Sequence, residues 1–181
     1  MERESGAPDG RPVMVQSTRG TVEGRAVVHP RIRTLDWLNH SQRFLEIEVT
    51  SSSVPEWSFE RGLVGINKDM VLFVAELSDE LPTTDARVEA THYSREAVAL
   101  RLGEFDIKGY LHVRGILDPL VRLSRRDGEF TALTSASVLG PDIELAASFL
   151  AVNPDHVLGA QPILQQAPQP AVDALVDSHR G

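Results

Sequence analysis

One pattern occurs twice in this chain, as V-M-V-Q-S-T-R-G-T-V-E-G-R-A-V-V (13–28) and as V-A-L-R-L-G-E-F-D-I-K-G-Y-L-H-V (98–113). It continues further along, where L-V-G-I-N-K-D-M-V (63–71) matches F-L-A-V-N-P-D-H-V (149–157). The matched positions lie about 85 residues apart. A fixed period indicates one structural unit built twice, because each copy must bury the same face. The sequence therefore predicts an internal duplication.

Alternating apolar and polar residues predict that both copies consist of β-strands. The inward sets are Val22, Gly24, Ala26 and Val28 in the first copy, and Phe105, Ile107, Gly109, Leu111 and Val113 in the second. The shared glycine, Gly24 or Gly109, lies in mid-strand, where glycine indicates a sharp bend or a close backbone approach. The predicted fold class is mostly β, with two tandem, pseudo-symmetric, small barrel-like units and flexible termini.

Each copy also has the sequence signals of one short helical turn and one closing hairpin. Thr34 is the predicted N-cap of the first turn. Asp118 is the predicted cap of the second, with Pro119 as its first helical residue. An Asn-x-Asp turn joins the last two strands of each copy, at 67–69 and at 153–155, because Asn and Asp side chains bond to nearby backbone.

These patterns divide the chain into five segments. Residues 1–12 are polar and rich in Gly and Pro, which predicts a disordered lead. The first β repeat covers 13–77 and the second 98–160, with an acidic connector at 78–97 between them. Residues 161–181 form a Pro/Gln-rich tail that has room for one short helix. Because a unit of roughly 60 residues is marginally stable alone, we expect the two repeats to pack together.

Composition narrows the class of protein. Of the 181 residues, 41% are hydrophobic and 24% are charged, as in soluble globular proteins. No apolar run approaches the roughly 20 residues that span a membrane, and the N-terminus lacks an apolar signal core. We therefore expect a cytoplasmic protein. The absence of cysteine excludes disulfides and thiol chemistry. The net charge of −8 argues against binding a phosphate backbone by bulk electrostatics.

No assembled catalytic set is visible in the sequence. The six histidines show no metal-ligand spacing, and phosphate-binding or nucleophile motifs are missing. Glu46 and Glu48 share one strand face, but carboxylates on an exposed face are common. Leu45, Ile47 and Val49, on the opposite face, are the predicted core residues. The sequence thus predicts a protein that is not an enzyme, with no catalytic residues, metal ligands or cofactor.

Two groups of residues are candidates for binding. Arginines occur in related loops of the two copies and form a candidate anionic-ligand patch, since Arg suits phosphate and carboxylate: Arg31, Arg33, Arg122, Arg125 and Arg126. Trp37 and Trp57 have no aromatic counterparts in the second copy, which makes them a candidate protein-interaction surface. The alternatives are solvated loops for the arginines and core packing for the tryptophans.

The segment R-I-R-T-L-D-W-L-N-H-S-Q-R-F-L-E-I (31–47) resembles a group of small bacterial domains of unknown activity with an R-x-S-D-x-L-N…F-L pattern. The matching positions are Arg33, Asp36, Leu38, Asn39, Phe44 and Leu45, whereas Thr34-Leu35 departs from the pattern. Phe44 falls on Phe130 of the second copy, which lacks the D-x-L-N portion. The closing hairpin also resembles those of Sm-like and SH3-like barrels, a likeness of fold that implies no function.

Two functions follow as expectations. The leading one is a protein-interaction or scaffold module, because small β units with unpaired strand edges bind partners through those edges. Its partner would be another protein or a second copy. The alternative is binding of an anionic ligand, RNA or nucleotide, by the paired arginine loops. Nucleic acid is the less favoured partner because the chain is acidic.

Overall fold

The computed structural model describes residues 10–29, 31–40, 42–54, 62–77, 93–114, 118–124 and 130–163. Ten strands occur in these ranges: β1 Arg11–Ser17, β2 Gly20–Ala26, β3 Phe44–Ser52, β4 Gly62–Asn67, β5 Val71–Glu76, β6 Tyr93–Leu102, β7 Phe105–Arg114, β8 Thr131–Gly140, β9 Ile143–Val152 and β10 Val157–Pro162. The described helices are α1 Thr34–Leu38 and α2 Pro119–Ser124, with 3₁₀ turns at Lys68–Met70 and Pro154–His156. The mostly β prediction is confirmed.

All ten strands belong to one open antiparallel sheet in the order β10-β6-β7-β8-β9-β5-β1-β2-β3-β4. The first five strands lie in the order β5-β1-β2-β3-β4. The next five lie in the corresponding order, β10-β6-β7-β8-β9. The first half of the sheet (β1–β5) meets the second half (β6–β10) where β5 pairs with β9. Each half has its helix between its second and third strands.

Only some of the predicted segments lie within the described residues, and their boundaries differ from the observed ones. β1 begins at Arg11 and β6 at Tyr93, so both strands start before the predicted repeats do. Residues 1–9, 78–92 and 164–181 lie outside the described residues. Most of the predicted disordered lead, of the acidic connector and of the Pro/Gln-rich tail lies there, but Arg11 and Pro12 of the lead are part of β1.

The buried apolar residues form two core clusters, and some strands contribute to both. The first-half cluster is Val13, Val15, Val22, Ala26, Leu38, Leu45, Ile47, Val49, Val54, Ile66, Val71, Val74, Phe130 and Ala151. The second-half cluster includes Val98, Leu100, Leu102, Ile107, Leu111, Leu133 and Leu150, together with Met14, Leu72, Phe73 and Ala75 from the first half. Leu45, Ile47 and Val49 are buried as predicted. Each cluster takes residues from both halves, so the two cores are built jointly.

Strand β5 lies at this meeting point and has no solvent face. Its six residues are all buried. Val71 and Val74 belong to the first-half cluster, whereas Phe73 and Ala75 belong to the second-half cluster. The ring of Phe73 meets that of Phe105 edge to face at 5.4 Å. This explains why β5 is a nearly continuous apolar run instead of an alternating one.

The two mid-strand glycines lie where the sheet register shifts. Pairing of β2 with β3 shifts between Glu23 and Gly24, and pairing of β7 with β8 shifts around Gly109. A Cβ on Gly24 would lie 2.3 Å from the carbonyl oxygen of Glu48. A Cβ on Gly109 would lie 3.3 Å from Cβ of Leu133. The predicted close backbone approach is therefore present at Gly24, whereas the two atoms nearest to Gly109 are side-chain carbons. Both glycines lie at a register shift of the kind that a β-bulge produces.

The helix starts were predicted correctly in the second half and wrongly in the first. The backbone N–H of Leu120 donates to Oδ1 of Asp118 at 2.7 Å, so Asp118 caps α2 as predicted. The N-cap of α1 is Arg33, without a side-chain cap bond, and Thr34 is the first helical residue. The hydroxyl of Thr34 donates instead to the buried carboxylate of Glu76 on β5. A tertiary contact therefore replaces the local cap.

Both predicted Asn-x-Asp turns are present. The side chain of Asn67 accepts a hydrogen bond from the backbone N–H of Asp69 at 3.1 Å. Asn153 accepts from the N–H of Asp155, also at 3.1 Å. In both halves the turn is a 3₁₀ turn that leads directly into the last strand.

Candidate functional site

The two halves of the sheet join at the junction where β5 pairs with β9. Its aligned pairs are Phe73 with Val152, Val74 with Ala151, and Ala75 with Leu150. All six side chains are buried. The junction therefore combines backbone pairing with full apolar cover on both faces of the sheet.

Polar side chains anchor the two sides of this junction. The amide nitrogen of Asn153 donates to the carbonyl of Val71 at 3.0 Å. Asn39, just after α1, makes two hydrogen bonds to the backbone of Phe130: its amide nitrogen donates to the carbonyl at 3.1 Å, and its oxygen accepts from the N–H at 2.7 Å. These bonds fix the second half against α1 and β5.

The sheet ends at β4 on one side and at β10 on the other, and no described strand pairs with either outer edge. Leu158 on β10 is 74% exposed and Leu63 on β4 is 65% exposed. They are the two most exposed large hydrophobic side chains among the described residues. Phe44, on β3 next to β4, is also exposed.

These two ends, β4 with Phe44 and β10, are the candidate functional site. An unpaired strand edge offers a row of N–H and C=O groups to an incoming strand. Apolar side chains beside such an edge add the contact area that determines which strand binds. Sequence reasoning predicted unpaired edges in general but missed Leu63 and Leu158. Their exposure depends on which strands lie at the ends of the sheet, and the local sequence pattern does not show this.

A cleft of about 1200 Å³ lies between the two halves. It is lined by the β1–β2 turn, by residues 51–53, and by the β6–β7 and β8–β9 turns. Its polar lining includes Gln16, Glu23, Glu104 and Glu144, with hydroxyls from Ser51, Ser52 and Ser53. This lining is more acidic than basic, so the cleft suits water or cations better than an anionic ligand.

His112 on β7 belongs to a polar cluster on the outer face of the second half. Its Nε2 lies 2.9 Å from Oγ1 of Thr134. Arg95 stacks over the ring of Tyr110 at 4.3 Å. Partial burial, followed by the nearby charge of Arg95, lowers the pKa of His112 below its usual value. The imidazole is therefore neutral near pH 7 and bonds to a hydroxyl, which is also a common structural arrangement.

The predicted arginine patch is only partly within the described residues. Arg31 and Arg33 are exposed beside α1, and Arg33 forms an ion pair with Asp36 at 2.7 Å. Arg122 is half-buried on α2, and Arg125 and Arg126 lie outside the described residues. α1 bonds to β5, and Asn39 just after α1 bonds to Phe130 just before β8, whereas α2 packs on β7 and β10. The patch stays a prediction.

The predicted tryptophan surface is also covered in part. Trp37 is half-buried and packs against the first-half cluster, which is the core-packing alternative. Trp57 lies outside the described residues. The exposed apolar surface of the first half therefore comes from Phe44 and Leu63 more than from Trp37.

The described ranges contain neither a membrane-spanning helix nor a metal-binding cluster. None of the described helices is long and apolar enough to cross a membrane. In those same ranges, no group of three or more His, Asp or Glu side chains is placed to hold a metal ion. Comparison of the chain with protein-family models, curated proteins and solved structures gives no match.

Proposed function

We propose that this protein is a non-enzymatic interaction module that binds another protein by strand addition at the two ends of its sheet. The observation that supports it most is that the two edges with which no described strand pairs carry the two most exposed leucines of the described residues, Leu63 and Leu158. Isolated apolar residues on a surface are common. Leu63 and Leu158, in contrast, each add apolar contact area beside one edge, where an incoming β-strand would be recognised.

We also propose that the two halves of the sheet are tandem copies of one small barrel-like unit. Four observations support it. Both halves have the same strand order, a helix between the second and third strands, and a bulge at the matched glycine. The Asn-x-Asp turns also match. Duplication gives the protein two edges of different kinds, which suits a scaffold.

The experiment compares capture of partner proteins by the natural chain and by edge variants. Leu63→Asp and Leu158→Asp each place a charge beside one edge, where it opposes burial under an incoming strand. Leu139→Asp is the matched control, because Leu139 is 58% exposed on β8, a central strand. Partners crosslinked to the natural chain and to the control should be lost from the edge variants.

Thermal unfolding of the variants tests whether they fold. Substitution of an exposed side chain changes stability by about 0.5 kcal/mol or less, so all three should melt close to the natural chain. Capture that is equally strong in the edge variants and the control would contradict strand addition. Turnover of a small substrate by the purified chain, without any partner, would contradict the non-enzymatic assignment.

A further inference from the structure

We infer that the partner at these edges is a second copy of this chain, joined head to tail, with β4 of one copy against β10 of the next. This inference rests on the proposed function, because it names the partner for the same two edges. It is carried by the junction that the chain already contains between β5 and β9.

The strands at the internal junction correspond to the strands at the two ends of the sheet. The internal junction joins the last strand of the first half, β5, to the fourth strand of the second half, β9. The strands left at the ends of the sheet are the fourth strand of the first half, β4, and the last strand of the second half, β10. Each free edge is thus the counterpart of one that already pairs, and the two edges match each other.

Apolar residues at the β4 end are exposed, whereas their counterparts in the second half are covered. Phe44 is 51% exposed, whereas its counterpart Phe130 is 4% exposed and lies in the first-half cluster. Leu63 is 65% exposed, whereas its counterpart Phe149 packs against that same cluster. In the second half, the first half covers these positions. In the first half they lack such a cover within the described residues.

The β10 end shows the same relation. Leu158 is 74% exposed, and its counterpart Leu72 is 7% exposed within the second-half cluster. α2 adds two more exposed apolar residues beside β10, Leu120 and Val121. Its counterpart, α1, is followed by Asn39, which holds Phe130 at the internal junction. Exposed apolar residues therefore lie where a neighbouring copy would cover them.

The internal register transfers directly to the new junction. It pairs Ile66 with Gly159, Gly65 with Ala160, and Val64 with Gln161 of the next copy. Pro162 has no N–H to donate. Pro162 is the counterpart of Glu76, which lies beyond the three pairs that β5 makes with β9. Pro162 therefore lies outside the three proposed pairs and does not interrupt them.

Such a junction is heterologous, because it joins two different surfaces. Repetition produces a ring if the rotation between copies closes and a filament if it does not. Because each junction in a chain of copies uses one β4 and one β10, every internal copy has both edges covered. This removes the exposed edges that otherwise promote aggregation.

Crosslinking of two single-cysteine chains tests the register, and the natural chain has no cysteine to interfere. Gly65→Cys chains are mixed with Ala160→Cys chains and treated with a short bifunctional maleimide. Residues directly opposite in antiparallel strands have Cβ atoms about 5 Å apart, so the expected product is a heterodimer in high yield. Gly65→Cys mixed with Ser137→Cys, on the exposed face of central strand β8, measures random collision. Equal yields from both mixtures would overturn the register.

Sedimentation of the full chain over a range of concentrations tests the association itself. The average mass should rise with concentration. Leu63→Asp and Leu158→Asp should each weaken association about tenfold or more, since burial of a leucine contributes at least that much. Leu139→Asp should leave association unchanged.

The outcomes separate this inference from the proposed function. A chain that stays monomeric yet captures other proteins in a Leu63- or Leu158-dependent way overturns self-association and leaves strand addition standing. A chain that neither associates nor captures a partner through these edges overturns both. Association that ignores both leucines also overturns the head-to-tail junction.

Discussion

At the scale of single residues, the glycines of the two bulges differ in how closely other atoms approach them. Gly24 and Gly109 occupy matched positions, but their surroundings differ. The space beside Gly24 is filled by the backbone carbonyl of Glu48, which cannot move without disturbing β3. The space beside Gly109 is bounded by side-chain carbons of Leu133 and Ala136 at 3.3 Å.

This difference predicts a ranking of two substitutions. Gly24→Ala should lower the free energy of unfolding by about 1–3 kcal/mol, the usual cost of overpacking. Gly109→Ala should cost less, because its neighbours need to give by only a few tenths of an ångström. Chemical denaturation of both variants measures the two losses. A larger loss for Gly109→Ala would contradict the account of the first bulge.

His112 gives a prediction for pH. Its pKa is lowered in the folded chain, so the unfolded chain binds that proton more readily. Stability therefore rises with pH through this group, and its contribution is lost as the pH falls below about 6.5, the ordinary histidine value. His112→Gln should make the unfolding free energy less dependent on pH between about 5 and 7. Ser137→Gln, which changes an exposed side chain without a titratable group, is the control and should retain the natural slope.

At the scale of elements, the sequence predicted strands, turns and one helix cap well because those signals are local. Alternation placed Leu45, Ile47 and Val49 in the core, and Asp118 with Pro119 marked the start of α2. The cap of α1 was wrong because Thr34 bonds to Glu76, a residue 42 positions away, and local patterns carry no information about such a partner. The most exposed edge residues were missed for a related reason: their exposure depends on strand order.

Asn39 connects an element of each half and gives a prediction at this scale. Asn39→Ala removes both hydrogen bonds to the backbone of Phe130. With two backbone groups left without these partners, we expect a loss of about 2 kcal/mol in unfolding free energy. Asn39→Asp should lose less, because its carboxylate still accepts from the N–H of Phe130. Denaturation curves of the two variants, measured side by side, decide this, and equal losses would contradict it.

At the scale of the whole molecule, the shared cores predict that the halves unfold together. A fragment that ends at residue 77 loses Phe130 and Ala151 from its own cluster and uncovers Phe73 and Ala75. We expect this fragment to lack a cooperative thermal transition, while the full chain shows one. Two separate transitions in the full chain, one of them reproduced by the fragment, would show that the halves are independent.

The complete burial of strand β5 also affects how the chain folds while it is being synthesised. Its residues leave the ribosome before its partner β9 has been translated, and the intervening chain takes roughly 4 to 15 s to make. During that delay Leu72, Phe73 and Ala75 lack the residues of the second half that later cover them. We expect nascent chains arrested after β5 to bind chaperones that hold apolar segments, and chains arrested beyond β10 to release them. The first half therefore cannot complete its apolar packing until the second half has been synthesised.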